Sequence, residues 1–444
     1  MDISIFKSYD IRGTYPDQLD EDAAYRIGRA YVEFIGAKSI AVGRDNRPSG
    51  NGLFKAFAKG ATESGADVVD LGIVTTPMVY FAAGSLPVDG AVSLTASHNP
   101  PEYNGFKLNR RGAVPIGAGS GMEDIRDLAE SGEFKRSPRT GTVSEMEIAT
   151  GYIDHVVSYA DLDDAHLSVV VDTANAVGAL ELPVFKKLAA HVELATINEE
   201  LDPSFPNHEA NPLKTETLEQ LSAAVKKKDA HIGIAYDGDA DRVGFIDENG
   251  EPVRMDTITT LLSLDILKTY PKSTILYDLR SSKAVAEEIE AAGGTAIQTR
   301  VGHAHIKKHM RDVDAVFAGE LSGHYYFKDN SYAESATLAA VLVLNMLARS
   351  GETLSALAKK VERYHHSGEI NSTVKDVDGI LGSLLERYGD GEITALDGLK
   401  VTYPTWWFNV RASNTEPLLR LNLEADTKEL LDEKREELLA IIRS

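Results

Sequence analysis

Short aliphatic and β-branched runs alternate along most of the chain with longer segments whose apolar residues recur at helical spacing. In the first block the pattern predicts strands at 39–42, 66–71 and 91–94 and a helix over 52–64. Such alternation is typical of α/β units with mainly parallel sheets.

Two further blocks repeat this alternation of predicted strands and helices, and a segment with a different pattern follows them. The second predicts strands at 167–171, 192–197, 232–235 and 243–246 and a helix at 180–188. The third predicts a helix from Met255, strands at 274–277, 296–299 and 315–317, a helix at 283–292 and a last, apolar helix at 336–348. After about residue 363 a shorter α+β segment follows, which ends in a charged helix over 428–442. We therefore expect four domains, with bounds 1–150, 151–254, 255–364 and 365–444.

Composition narrows the class of protein. The 444 residues are 43% hydrophobic and 26% charged, which is typical of a soluble globular protein. The formal net charge of −22 disfavours nucleic acid and anionic membranes as partners. There is no cysteine, which excludes disulfides and thiolate metal sites. The opening residues resemble no signal peptide, and the apolar run over 336–348 is too short to cross a bilayer, so we expect a cytoplasmic protein.

The most informative local pattern is Asp237-Gly238-Asp239-Ala240-Asp241-Arg242. Alternating carboxylates on one loop can present oxygen ligands to Mg²⁺ or Ca²⁺. An EF-hand is disfavoured, because Arg242 stands where its turn needs glycine and the flanks resemble strands. The alternative is an acidic turn without a metal, but mutual repulsion of the carboxylates favours a cation. A Mg²⁺ site of this kind also implies a phosphoryl substrate.

Three other polar loops follow predicted strands, where ligands of open α/β sheets collect. The loop Thr95-Ala96-Ser97-His98-Asn99-Pro100 could hold a serine nucleophile or be an ordinary turn, and Lys107 follows it as a phosphate contact, a proton-transfer group or a solvated lysine. Glu320 and Ser322 could bind sugar hydroxyls or form a solvated connection.

Arginines flank the third polar loop. The segment from Arg411 to Pro417, with Arg420 beyond it, has the donors of an anion cradle, although it could be an Asx-turn. Arginines near Tyr9 and in the segment 43–47 could bind ligand or form domain-packing salt bridges. His305 and His309 lie one helical turn apart without a glutamate that completes a zinc motif, so a solvated helix is favoured there.

Five segments occurring in order, YDIRG, TASHNPPEYNGFK, DGDADR, GELSGH and RASNTEP, closely resemble the signatures of the α-D-phosphohexomutase superfamily, of the phosphomannomutase/phosphoglucomutase type. The resemblance covers the chain from Tyr9 to Arg420. It implies an α/β fold of four domains around a central cleft, in which three related α/β domains with mixed sheets precede a smaller α+β domain. The loops for phosphoserine, Mg²⁺, sugar and phosphate would lie on domains I to IV in that order.

The resemblance also implies a reaction, in which a phosphoserine exchanges its phosphoryl group with a hexose monophosphate through a hexose 1,6-bisphosphate. The 1-phosphate and 6-phosphate of mannose or glucose would thereby interconvert. Ser97 would be the nucleophile, and Mg²⁺ would be held by Ser97 with Asp237, Asp239 and Asp241.

Roles for the other site residues follow from the same resemblance. Lys107 and His303 would be proton shuttles, with Arg242 as a further catalytic residue. The expected substrate-binding residues are Tyr9, Arg12, Arg280, Glu320, Ser322, His324, Arg411, Ser413, Asn414, Thr415 and Arg420. The partner would be a small phosphosugar, and the protein a monomer or homodimer.

Three alternatives stay open. A phosphoglucosamine mutase resembles this chain, but its sugar loop usually carries Gln where Leu321 stands. A non-catalytic paralogue would not need Ser97 and the three aspartates. A phosphatase could use the same parts, since hydrolysis of phosphoserine needs the same groups.

Overall fold

The computed structural model describes residues 1–412 and 418–443, and this part of the chain forms four consecutive β-sheet units, named here domains I to IV. The sheet of domain I has the order β1-β5-β4-β2-β3-β7, with β6 beside β5. Its strands are β1 Ile11–Thr14, β2 Ser39–Arg44, β3 Asp67–Ile73, β4 Gly90–Leu94, β5 Tyr103–Arg110, β6 Val114–Pro115 and β7 Val143–Glu145. The helices are α1 Glu21–Ile35, α2 Gly50–Glu63, α3 Thr76–Ser85 and α4 Met122–Ser131.

Domain II has the sheet order β12-β11-β10-β8-β9. Its elements are α5 Ala149–Val157, β8 Leu167–Asp172, α6 Leu182–Lys187, β9 Val192–Ile197, α7 Glu219–Lys228, β10 Ile232–Tyr236, β11 Val243–Ile246 and β12 Pro252–Val253. Strands β8, β9 and β10 are parallel, whereas β10 and β11 form an antiparallel hairpin.

Domain III repeats the mixed plan with the order β14-β13-β15-β16-β17. Its elements are α8 Met255–Thr269, β13 Thr274–Asp278, α9 Lys283–Ala291, β14 Thr295–Thr299, α10 His303–Val313, β15 Phe317–Gly319, β16 Tyr325–Phe327, β17 Ala333–Glu334, α11 Ala336–Ser350 and α12 Leu354–Val361. In each of the first three domains, parallel central strands continue into antiparallel ones, as expected for mixed sheets.

Domain IV is antiparallel, with the order β18-β23-β22-β21-β20 and β19 beside β23. Its elements are β18 His365–His366, β19 Ile370–Thr373, α13 Val377–Tyr388, β20 Glu392–Thr394, β21 Leu399–Thr402, β22 Trp406–Ala412, β23 Leu418–Ala425 and α14 Lys428–Ile442. The fold class is therefore the expected one, three mixed α/β units followed by a smaller α+β unit. The expected bounds of the domains at residues 150, 254 and 364 stay predictions.

One hydrophobic core runs through the first three domains. It joins α3 of domain I, β8 and β10 of domain II, and α8 and α11 of domain III. Domain IV has a separate core between its sheet and α13 and α14. The apolar segment expected at 336–348 is the buried helix α11. Within the described residues, every helix is too short or too polar to traverse a bilayer.

The structure corrects three details of the expected elements. The segment 180–188 is a 3₁₀ turn over Val177–Glu181 followed by the shorter α6, because Pro183 is tolerated only in the first turn of a helix. The strand expected at 315–317 begins at Phe317 instead. Helix α12, whose amino end is capped by Thr353, follows α11, so α11 is not the last helix of its block.

Helices α1 and α2 cross at two glycines, which yields a stability prediction. A Cβ on Gly28 would lie 2.3 Å from the backbone oxygen of Phe57, and one on Gly60 2.2 Å from that of Tyr25. Gly28→Ala should therefore destabilise the protein by about 1–3 kcal/mol, since the overlap outweighs the better helix propensity of alanine. Thermal unfolding by calorimetry measures the change.

The matched control is Gly382→Ala in α13, where an added Cβ meets nothing within 4 Å. That substitution should raise stability by about 0.5–1 kcal/mol. Equal effects of the two substitutions would contradict the close crossing of α1 and α2.

Candidate functional site

A cleft with a volume of about 530 Å³ lies where the four domains meet. Most of its lining residues are charged or polar, and every domain contributes to them. They include Tyr9, Arg12, His98, Lys107, Asn211, Lys214, Arg242, Arg280, His303, Glu320, Ser322, His324, Glu369, Arg411 and Arg420. The polar loops that follow strands in the sequence thus converge, as expected for ligand sites of open α/β sheets.

The loop after β4 presents Ser97 beside this cleft. Ser97 has left-handed backbone (φ 52°), is 1% exposed, and donates a hydrogen bond from Oγ to Oδ2 of Asp237 over 2.8 Å. Its Oγ also lies 3.1 Å from Nδ1 of His98. In an extended chain, neighbouring side chains point to opposite sides, so the sequence gave little reason to expect contact between Ser97 and His98. The left-handed backbone of Ser97 departs from the extended conformation, and the two side chains meet.

Arg47 supports the shape of the serine loop. Its buried guanidinium donates to the carbonyl oxygens of Ser97 (2.8 Å) and Asn99 (2.6 Å), and to that of Tyr103 (3.0 Å). Asp45 accepts from Nε of Arg47 over 3.0 Å and fixes the guanidinium from behind. Of the two interpretations left open for this arginine, the structure supports a packing role in which it shapes the loop of Ser97.

The three aspartates lie on the turn of the β10–β11 hairpin and are completely buried, at 0% exposure. Carboxylate oxygens of Asp237, Asp239 and Asp241 lie within 4.8 Å of one another. The strands on both sides confirm that this is not an EF-hand. A Cβ on Gly238 would lie 2.2 Å from the carbonyl oxygen of Ser97, so this turn and the serine loop are in backbone contact.

Cations from other domains partly offset this negative charge. Lys107 on β5 donates to Asp239 over 2.6 Å and also to Asp241. Against the effect of burial, these two carboxylates raise the pKa of Lys107 above its usual value. Burial, Asp239 and Asp241 together raise the pKa of Asp237 to about 7. Three carboxylates close together thus resist simultaneous ionisation unless more positive charge is supplied.

The aspartate group fits a hard divalent cation. Oδ1 of Asp239 is buried and has no hydrogen-bond partner among the described residues. Its other oxygen, Oδ2, accepts from Thr76 of α3 over 2.6 Å, which fixes the carboxylate. An unpaired buried carboxylate oxygen is costly, and a Mg²⁺ ion would satisfy it. The donor set, all oxygen and negatively charged, is the one that Mg²⁺ prefers.

His303 begins α10 and faces the cleft. Both of its ring nitrogens are buried and lack hydrogen-bond partners among the described residues, and Nδ1 lies 3.9 Å from Oε1 of Glu334. Burial, together with Lys307 and Lys107, holds the pKa of His303 well below its usual value. Tyr9 packs edge to face on this ring, with centroids 5.8 Å apart. Burial thus keeps this imidazole in its neutral form at the wall of the cleft.

Glu320, Ser322 and His324 lie together on the connection between β15 and β16. Nδ1 of His324 lies 3.1 Å from Glu320 Oε2 and 2.8 Å from Ser322 Oγ, and its Nε2 lies 3.2 Å from Asp241. Against the effect of burial, Asp241 raises the pKa of His324 to about 9. Glu320 is 2% exposed, so the alternative of a solvated glutamate is wrong. This imidazolium links the sugar loop to the aspartate group.

Domain IV contributes Arg411 on β22 and Arg420 on β23, which are directly paired across the two strands. The carboxylate of Glu369 lies between them, 3.3 Å from Arg411 and 3.4 Å from Arg420. Arg280 of domain III approaches the same carboxylate to 3.6 Å and is itself held by Asp278 at 2.8 Å. The predicted residues Ser413, Asn414 and Thr415 lie outside the described residues.

Further polar groups complete the lining. Arg12 forms an ion pair with Asp10 and donates to the side-chain oxygen of Asn99 over 2.7 Å, so it lies beside the serine loop. Arg242 lies 3.7 Å from Asp237. His305 and His309 are half-buried on α10, and His309 pairs with Thr299 at 3.1 Å.

The structure thus brings together Ser97, Lys107, the three aspartates and the described residues of every other predicted loop around one cleft. It adds residues that the sequence analysis did not place there, namely His98, Asn211, Lys214 and Glu369. The position of His98 next to Ser97 was a weak signal, because neighbouring side chains of an extended segment point to opposite sides. Glu369 stands in no polar motif, and only the fold brings it to the arginines.

Comparison with known proteins gives this arrangement a family. Profiles described as phosphoglucomutase/phosphomannomutase match four consecutive segments of the chain: alpha/beta/alpha domain I over residues 4–136, domain II over 150–250, domain III over 254–364 and the C-terminal domain over 369–441.

Relatives match over the full length. A phosphomannomutase of Methanocaldococcus jannaschii is 40% identical over 453 residues, covering 99% of this chain and 98% of its own. A phosphomannomutase of Escherichia coli K12 is 39% identical, covering 95% of each chain. The crystal structure of a phosphoglucomutase/phosphomannomutase family protein from Burkholderia thailandensis superposes with a TM-score of 0.90 at 33% identity, covering 99% of this chain and 98% of its own. The chain therefore belongs to the phosphoglucomutase/phosphomannomutase family of the α-D-phosphohexomutase superfamily, and it is an isomerase of the phosphohexomutase type.

Proposed function

We propose that this enzyme interconverts the 1-phosphate and 6-phosphate of mannose, glucose or both through a phosphoserine at Ser97 and a hexose 1,6-bisphosphate. The observation that carries the proposal is the hydrogen bond from Ser97 Oγ to Asp237 within a buried group of three carboxylates. A serine in that position is next to a cation site, which suits phosphoryl transfer better than simple ligand binding. The relatives named phosphomannomutase support the same activity.

Phosphoryl transfer explains the residues around Ser97. When the phosphoryl group leaves Ser97 for a sugar hydroxyl, the O–P bond at serine breaks and a new O–P bond forms at the sugar. The sugar hydroxyl loses its proton, and Ser97 Oγ, which keeps the electron pair of the broken bond, gains one and becomes a hydroxyl again. His303 is assigned as the acceptor of the sugar hydroxyl's proton, because it lines the cleft and its ring nitrogens have no hydrogen-bond partner among the described residues. Lys107 and Arg242 supply positive charge beside the reacting group. In the return step the other phosphate of the bisphosphate is passed to Ser97.

Asp237, Asp239 and Asp241, with an oxygen at Ser97, would hold Mg²⁺. The ion supplies charge neutralisation for the phosphoryl group during transfer. Thr76 and Lys107 keep the aspartates in place, and the contact of Gly238 with Ser97 keeps the two loops in register.

The remaining lining suits a phosphosugar. Glu320, Ser322 and His324 are assigned to the sugar hydroxyls, with Tyr9 and Arg12 as further substrate contacts. Arg411 and Arg420, together with Arg280 and the predicted Ser413, Asn414 and Thr415, are assigned to the phosphate that is not being transferred. One fixed phosphate site and one fixed transfer site allow the bisphosphate to be used in two orientations.

A phosphoglucosamine substrate is the second candidate. Leu321 stands where a phosphoglucosamine mutase usually carries Gln, which favours mannose or glucose over glucosamine. Incubation of the enzyme with Mg²⁺, a trace of glucose 1,6-bisphosphate and either mannose, glucose or glucosamine 1-phosphate would decide the sugar. A 6-phosphate resonance in ³¹P NMR is expected with mannose or glucose 1-phosphate. Release of inorganic phosphate instead would identify a phosphatase. An unchanged ³¹P spectrum with all three sugar phosphates would identify a non-catalytic paralogue.

Ser97→Ala should reduce turnover by at least about 10³-fold, because it removes the oxygen to which the phosphoryl group is bonded in the proposed mechanism. The same ³¹P NMR assay measures the loss, and circular dichroism checks that the fold is intact. Ser85→Ala, an exposed serine at the end of α3, is the matched control. It removes a serine hydroxyl outside the cleft and leaves the nucleophile, so it should retain turnover and phosphoserine formation. Turnover by Ser97→Ala at the wild-type rate would refute the assignment.

Asp239→Asn should weaken Mg²⁺ binding about tenfold or more, since it removes the charge of an unpaired, buried carboxylate oxygen. Isothermal titration calorimetry with Mg²⁺ alone measures the affinity without turnover. Glu251→Gln, an exposed carboxylate of the same domain, is the control and should leave the affinity unchanged. Equal affinities for Asp239→Asn and the wild type would place the cation elsewhere.

A further inference from the structure

The carboxylate of Glu369 is the shared counterion of three arginines in the cleft. It lies 3.3 Å from Arg411, 3.4 Å from Arg420 and 3.6 Å from Arg280. Against the effect of burial, these arginines lower the pKa of Glu369, so the group is ionised at neutral pH. Both of its oxygens are engaged, Oε1 by Arg420 and Oε2 by Arg411 and Arg280.

The positions of the arginines explain why an anion is needed among them. Arg411 and Arg420 face each other across β22 and β23, where like charges repel unless a negative group lies between them. Arg280 is fixed by hydrogen bonds from its guanidinium to both oxygens of Asp278. Three guanidinium groups converging on one point form a site for a phosphate dianion. Asp278 and Glu320 also contact Arg280, and Glu369 is the carboxylate that contacts all three arginines.

Glu369 also joins two domains. It immediately precedes β19 of domain IV, whereas Arg280 follows β13 of domain III. The side chain lines the cleft and is 26% exposed, so an incoming anion can reach it. The contact with Arg280 therefore connects domain IV to domain III inside the cavity that binds substrate.

We propose that Glu369 is an internal competitor for the substrate's non-transferred phosphate: its carboxylate holds the three arginines together without ligand and limits how tightly they bind phosphate. The inference rests on the proposed role of Arg411 and Arg420 in phosphate binding. A bisphosphate that must leave this site and return by its other end needs a site that releases phosphate readily. Glu369 meets that need, because it supplies a replacement anion as the phosphate departs.

The test measures the binding of inorganic phosphate to the full-length protein by isothermal titration calorimetry. Glu369→Gln keeps the size of the side chain but removes its charge. Because a repelling carboxylate is lost beside three guanidinium groups, we expect phosphate to bind about tenfold more tightly. Misfolding or loose arginines would weaken binding, so the direction of the change separates competition from a merely structural role.

Two further variants make the result specific. Asp426→Asn removes a different charged contact between domains IV and III, a 2.7 Å ion pair with Lys283 that does not line the cleft, and it should leave phosphate affinity within about twofold of the wild type. Arg411→Ala should weaken phosphate binding at least about tenfold.

The outcomes separate this inference from the proposed function. Unchanged or weaker binding by Glu369→Gln, with a clear loss in Arg411→Ala, would overturn the competitor role and leave the phosphate site in place. Unchanged binding by Arg411→Ala would overturn both. If phosphate bound more tightly to Asp426→Asn by the same factor as to Glu369→Gln, the competitor role would also be refuted. The increase in affinity would then come from a weakened contact between domains III and IV.

Discussion

Three carboxylates buried within five residues are the constraint on which the rest of the structure depends. Asp237, Asp239 and Asp241 repel one another in a region of low dielectric, so the fold must supply donors and cations to keep them there. Thr76 and Lys107 come from domain I and His324 from domain III. Domains I, II and III thus share both a hydrophobic core and a buried group of polar contacts around the three aspartates.

The cleft has an electrostatic character opposite to that of the whole chain. The chain carries a formal net charge of −22, yet basic side chains outnumber acidic ones along the cleft. A recess with this sign attracts small anions even though the outer surface repels larger polyanions. The few acidic groups in the lining, such as Glu320 and Glu369, each touch an arginine and tune this field locally.

The sequence predicted the elements and polar loops well where chemistry is concentrated in short segments. The alternation of strands and helices and the run of aspartates around Gly238 needed no tertiary information. Contacts between distant segments were beyond it. Arg47 shapes the serine loop through carbonyl groups about 50 residues away, and Glu369 meets Arg411 across 42 residues. Every residue has a backbone carbonyl, so the sequence does not indicate which carbonyls Arg47 contacts. A single glutamate outside any motif cannot be distinguished in the sequence from a solvent-exposed one.

The close approach of Gly238 to Ser97 has a consequence for how this protein can be recombined. Backbone atoms in contact cannot be repacked as side chains can. We therefore expect domains I and II to fit each other only when both come from the same parent protein. The contacts of domain IV with domain III include side chains of domain IV that can adjust, such as Asp426 with Lys283 and Lys400 with the backbone carbonyl of Leu279. Domain IV is therefore the domain that we expect to be exchanged most easily between relatives. A chimera with its junction between domains I and II would instead disrupt the contact between the Ser97 loop and the aspartate turn.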